Sequence, residues 1–223
     1  MEGGLNFGTA ELLGLAAALG WASGMRLYAV VFLTGLAGHL GWVPLPEGLQ
    51  LLQQPVLLWG SGALLLVEFV ADKVPVVDSA WDAVHTVIRV PAGAALAAGV
   101  FGGVLGGDQQ QWALLAALLG GTLAATSHVA KASTRAAVNT SPEPFSNVGL
   151  SLLGDLSVPV LLWLAWEHPL WAAAAVALGI VFALVLIRFT FKFVRALIRA
   201  PRSWLRQARP PRGFKSSGEA GPT

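Results

Sequence analysis

Long apolar runs separated by short polar stretches dominate this chain. Six of them, at about 10–40, 54–72, 90–107, 112–138, 146–166 and 169–194, reach or approach the roughly 20 residues that a bilayer demands. The runs are continuous and not alternating, which predicts helices and argues against a barrel. The expected fold is an all-α membrane protein of about six transmembrane helices. It forms one polytopic domain over 10–196, preceded by a short N-terminal segment, 1–9, and followed by a basic juxtamembrane segment and disordered tail, 197–223.

The pattern also predicts where elements stop. Gly20, Ser23 and Gly24 surround Arg26 near the middle of the first run. Either the helix breaks there, as helices lining a membrane cavity do, or it continues with its small residues packing against a neighbour. Pro75 and Pro91 bracket a short amphipathic helix, and GDQQQ at 107–111 reads as a tight turn. The fourth run turns polar while still helical, Pro142 and Pro144 end it, and Ser146 or Asn147 caps the fifth helix. Three runs before GDQQQ and three after it would make two halves of inverted topology.

Charge gives these runs a direction. Every Lys and Arg lies within a run or on one side: 41–53, 108–111 and 167–168 carry none, whereas Lys73, Arg89, Lys131, Arg135 and nine more from Arg188 onward share the other. Positive residues stay on the cytoplasmic side, so both termini are expected there. The C-terminal cluster would favour anionic inner-leaflet lipid, and the net charge of +2 reflects that cluster, not a nucleic-acid surface. Composition agrees with a bilayer: 55% apolar, 12% charged, mean hydropathy +0.67, and 26 Gly suited to close helix approach. The chain has no Cys, so thiolate chemistry and disulfides are excluded. MEGGLNFGTAE has no basic n-region, so no cleaved signal peptide is expected.

Ionisable residues within such runs are costly and persist when paired or facing water. Glu68 and Asp72 are spaced i, i+4. Asp78, Asp82, His85 and Arg89 form a second helical stripe, and His128, Lys131 and Arg135 a third. Arg26 and Asp155 lie near mid-depth. These stripes either neutralise one another or surround a polar site. Asp78 and Asp82 resemble the paired aspartates that hold Mg²⁺-diphosphate in intramembrane prenyl-transferring enzymes, although the Asn-Asp start of that motif is missing. His85 could titrate near neutrality, and Trp81 stands apart from the other Trp, which cluster at run ends. No P-loop, nucleophile elbow or zinc-protease motif is present.

The stretches ASGMR, EFVADKVPVVDSAWDAVHTVIRVPAG and HVAKASTRAAVNTSPEPFSN resemble a family of bacterial membrane proteins, domain of unknown function 4126, over about 10–195. The resemblance implies an integral protein of the bacterial cytoplasmic membrane and no particular activity. It also leads to the expectation of a second acidic residue before Asp155, where this chain has Gly154.

The first functional expectation is a small transporter or channel. Arg26, Glu68, His128 and Asp155 would line its path, and Asp72–Arg89 (with Lys73, Asp78, Asp82 and His85) and Lys131–Asn147 (with Arg135) its inner vestibule. It needs no cofactor and no catalytic residue. A second is an Mg²⁺-dependent enzyme on a lipid phosphate, with Asp78 and Asp82 on the metal. A third is a scaffold with a paired-charge core. A homo-oligomer is compatible with the small-residue faces.

Overall fold

Four helices begin on a proline, whose missing N–H costs nothing in the first turn: Pro55, Pro75, Pro144 and Pro169. The computed structural model describes residues 8–102, 108–138 and 144–199. Its elements are α1 (Thr9–Met25), α2 (Leu27–His39), a 3-10 segment (Glu47–Gln53), α3 (Pro55–Ala71), α4 (Pro75–Gly99), α5 (Asp108–Val138), α6 (Pro144–Glu167) and α7 (Pro169–Arg199). No strand occurs among the described residues. The chain up to Thr190 forms one compact unit, and 191–199 are the described part of a second, which is helical. The basic tail from 200 lies outside the described residues, as do the side chains of Ser146 and Asn147, and the expected cap there is corrected: α6 already begins at Pro144, whose ring suits a first turn, so both residues lie inside the helix.

The first apolar run is broken. α1 and α2 meet at Arg26, whose backbone leaves the helical region at φ −147°, ψ 87°. The break is mild in hydrogen bonds, because Arg26 N still donates to Ala22 O and Val30 N to Arg26 O. Small residues on α1 let it press against α5. A Cβ on Gly24 would overlap Ser127 and the Ala124 carbonyl, and Ser127 Oγ donates across the interface to Trp21 O at 2.7 Å.

Two further expected boundaries are corrected. Pro91 does not end a helix: α4 runs through it from Pro75 to Gly99. Proline inside a helix costs about 3 kcal/mol, but Pro91 and Val87 face outward while Gly93, Ala94 and Ala97 seat against Gly120, Gly121 and Ala124 of α5. Close packing there outweighs one lost hydrogen bond. The GDQQQ stretch is not wholly a turn either, since α5 starts at Asp108 and takes its polar residues into its first turn. Polar residues are common there, where N–H groups lack intrahelical partners.

The α1–α4–α5 contact depends on absent side chains. A Cβ on Gly20 would stand 2.6 Å from Gly120 Cα, and one on Gly120 would stand 2.6 Å from Gly93 O and overlap Ala97 Cβ. Gly120→Ala is expected to lower stability by about 1–3 kcal/mol, read as a lower thermal midpoint in detergent. Gly60→Ala, with nothing within 4 Å of the new Cβ, should leave the midpoint unchanged or raise it.

Burial is inverted relative to a water-soluble protein. Arg26, Glu68, Asp72, Asp78 and Arg89 are fully or almost fully buried, while Trp59, Trp171, Leu178 and Phe182 are mostly exposed. Apolar surface on this scale fits lipid. Gln110–Arg135, Val148–Glu167 and Pro169–Phe193 are each long and apolar enough to cross a membrane, and the 3-10 segment with α3, bent by 70°, makes a fourth if taken as one span. The other two runs fall short by length and composition because Arg26 divides one and Asp78, Asp82 and Arg89 occupy the helix of the other.

Candidate functional site

Helical periodicity places each charged stripe on one face, and the fold turns these faces toward one another. Glu68 sits near the end of α3 and Asp72 just beyond it. Asp78, Asp82 and Arg89 line one side of α4, and His128, Lys131 and Arg135 one side of α5. Arg26 enters from the break between α1 and α2, and Asp155 from α6.

The result is a chain of alternating charge. Arg26 Nη2 bonds both Asp155 Oδ1 at 2.8 Å and Asp72 Oδ2 at 2.7 Å. Lys131 Nζ bridges Asp72 Oδ1 and Asp82 Oδ1, each at 3.1 Å. Arg89 then joins Asp82 through Nη1 at 2.9 Å to Glu68 through Nη2 at 2.7 Å. Arg135 donates to the Asp72 carbonyl at 2.8 Å and lies 3.5 Å from Asp78 Oδ2, while Lys73 reaches Asp155 Oδ2 at 3.5 Å. Ion pairs thus link five carboxylates and five cations among the described residues. Burying them is tolerable because each charge has an opposite neighbour.

Donor logic assigns the His128 tautomer. Arg89 Nη1 has only hydrogens to offer, so His128 Nδ1, 2.8 Å away, accepts. The proton is then on Nε2, which donates to Thr86 Oγ1 at 2.8 Å, and Thr86 donates to the Asp82 carbonyl. His128 is therefore neutral in this arrangement.

Of the residues expected from sequence, His85 falls outside this chain. It accepts or donates at Tyr28 Oη (2.9 Å) and the Trp81 carbonyl (2.8 Å), and Trp81 stacks on its ring at 4.1 Å. Asn147 lies outside the described side chains. Sequence reasoning overlooked Ser151, which accepts from Arg26 Nη2 through Oγ at 3.1 Å and its carbonyl at 3.2 Å. Its place four residues before Asp155 was the available signal. Tyr28 and Thr86 were also overlooked, and no charge pattern marks Tyr28.

Asp72, Asp78 and Asp82 each offer an oxygen within 4.8 Å of the others, the geometry of a cation site. Arg26, Arg89, Lys131 and Arg135 already supply positive charge to these three carboxylates. Asp78, in the stretch between the candidate spans, has its pKa pushed up to about 7, by burial first, with Arg135 opposing and Asp72 and Asp82 adding. A raised folded-state pKa means the native protein holds the proton longer than the unfolded chain. Its contribution is present in full below the ordinary carboxylate range and is lost as pH rises through about 7. The thermal midpoint should therefore fall from about pH 5 to about pH 8, and Asp78→Asn should flatten that slope.

A cavity of about 480 Å³ opens beside the charge chain. Arg26, Asp72, Lys131 and Arg135 line it together with Leu150, Leu153, Phe182 and Leu186. Arg26 Nε and Nη1 are buried and have no hydrogen-bond partner among the described residues.

Comparison with known proteins gives one match. A family model described as Domain of unknown function (DUF4126) covers residues 13–189. No curated protein and no solved structure matches.

Proposed function

The chain belongs to the DUF4126 family, and from that premise and the geometry around Arg26 we propose that it is a small multi-pass membrane transporter for an anionic solute. In this reading it makes six crossings with both termini on the cytoplasmic side, the broken α1–α2 pair and the run that starts at Val90 supplying the two not evident from length alone. One observation carries the proposal: the first apolar run breaks at a buried arginine that sits between carboxylates of two other helices and faces a cavity. Broken helices with a charge at the break are how transporters build sites at membrane depth. The inner vestibule is formed by the 72–89 and 131–135 stretches, on the side where positive residues accumulate.

The test is electrical. Purified protein in proteoliposomes on a solid-supported membrane is exposed to anion, cation and pH gradients in turn. A current under the anion gradient that Asp155→Asn reduces is the expected result. Silence under every gradient together with no movement of a labelled anionic amphiphile across the proteoliposome membrane, with the protein shown folded, rejects transport.

A scaffold is the second reading, favoured by the balance of five carboxylates and five cations. It requires only that the pairs hold helices together, and so leaves the cavity and the unpartnered Arg26 nitrogens without a role. The Mg²⁺-enzyme reading is supported less, because a divalent ion among Asp72, Asp78 and Asp82 would have to displace Lys131 and meet Arg135.

A further inference from the structure

We propose that the cavity between α1, α5, α6 and α7 takes the headgroup of an anionic acyl lipid, with the chain lying against α6 and α7. This names the substrate class of the transport reading and rests on it.

The lining divides by chemistry. Arg26 at the α1–α2 break and Lys131 and Arg135 of α5 line it with Asp72 as the single carboxylate among the described residues, and Ser127, Thr134 and Ser157 add hydroxyls. The remaining acids of the charge chain, Glu68, Asp78, Asp82 and Asp155, do not line it. Among the described residues, the wall itself therefore carries three cations and one carboxylate. The other walls are Leu150, Leu153, Phe182 and Leu186, and Phe182 is itself 69% exposed at the outer surface. A small hydrophilic anion would leave these walls wetted, whereas an acyl chain covers them.

Arg26 gives the second, independent indication. Nη2 lies within 3.2 Å of four acceptors that share its two hydrogens, on Asp72, Asp155 and Ser151, while the buried Nε and Nη1 have no partner among the described residues. Buried guanidinium donors left without acceptors cost free energy, and the edge that carries Nε–H beside Nη2 is the side-on fork that suits a phosphate or carboxylate oxygen pair. Room exists beside that edge because position 154 is glycine: a Cβ there would lie 3.6 Å from Nε and 4.0 Å from Nη2. Gly154 also lines the cavity.

Trp21 lines the same cavity and reports on it. The experiment places the protein in phosphatidylcholine nanodiscs containing a minor fraction of brominated phosphatidic acid or, separately, brominated phosphatidylcholine. Trp21 emission is isolated as the difference from Trp21→Phe. Quenching should favour the anionic lipid on the order of tenfold in half-effective fraction. Gly154→Leu, which fills the space beside Arg26 and leaves every charge in place, should abolish that preference without lowering the thermal midpoint as charge removal would. Equal quenching by both lipids, or a preference that survives Gly154→Leu, overturns the proposal. Relief of the quenching by inorganic phosphate at modest concentration also overturns it, in favour of a soluble anion, and leaves the transport reading standing. Anion-selective quenching without any movement of the labelled lipid between leaflets of proteoliposomes retains the site and rejects transport.

Discussion

Arg89→Met is expected to cost about 3–5 kcal/mol of stability, enough to prevent accumulation of folded protein at growth temperature. Arg89 and Glu68 are both fully buried, and Arg89 Nη2 at 2.7 Å is the only described cation within ion-pair distance of Glu68. Removing the guanidinium also deprives His128 Nδ1 of its donor, at 2.8 Å. Asp82 fares better, because Lys131 remains 3.1 Å away. Most of the loss therefore comes from Glu68, and Glu68→Leu in the Arg89→Met background should recover about 1–3 kcal/mol. Unfolding in mixed detergent, followed by helical circular dichroism, measures all four corners of the cycle. Absence of recovery in the double variant would show that the two residues do not act as a pair.

Arg26→Gln is expected to act on activity more than on folding. Its two acids keep other cations: Lys131 stands 3.1 Å from Asp72, and Lys73 3.5 Å from Asp155. What is lost is the guanidinium facing the cavity, whose hydrogen bonds to a charged ligand are worth about 1.5–3 kcal/mol. Transport current should fall by about 10- to 100-fold, while the thermal midpoint drops less than in Arg89→Met. Arg26→Lys restores the charge and not the fork, so it should recover only part of the current. If Arg26→Gln collapses the fold as Arg89→Met does, Arg26 is a structural partner, and the transport reading loses its main support.

The contrast between these two arginines shows where sequence reasoning ends. Both were evident as charges in apolar surroundings. That Asp78, Asp82 and Arg89 share a face followed from a spacing of four and seven residues. So did the common face of His128, Lys131 and Arg135. Those inferences hold because α-helical geometry is local. Nothing local joined Arg26 to Asp155, or Lys131 to both Asp72 and Asp82. The partner of a side chain on another helix depends on how closely the two axes approach and at what rotation. In this protein that approach is set by glycines such as Gly20, Gly24, Gly93 and Gly120, which are close-packed at this interface and look alike in sequence to the open Gly60 and Gly149.

Prolines divide along the same line. At Pro55, Pro75, Pro144 and Pro169 the local chemistry agreed with the fold, and helices begin there. At Pro91 it did not, because interhelical packing by Gly93, Ala94 and Ala97 continues the helix past the ring. The interruption at Arg26 belongs to both categories: flanking small residues made a break legible, and only the α5 contact and the paired carboxylates decided it.

By itself, the sequence determined that the chain is helical, that its apolar length suits a bilayer, and which ionisable residues share each helix face. Period and hydropathy are properties of short windows and survive any arrangement of the helices. Only the tertiary structure decided which carboxylate meets which cation, that Arg26 Nε and Nη1 have no partner among the described residues, and that Gly154 leaves space beside Nε at the cavity. The contacts of Arg26 with Ser151, Gly154 and Asp155 join residues more than a hundred positions apart, which close packing alone brings together.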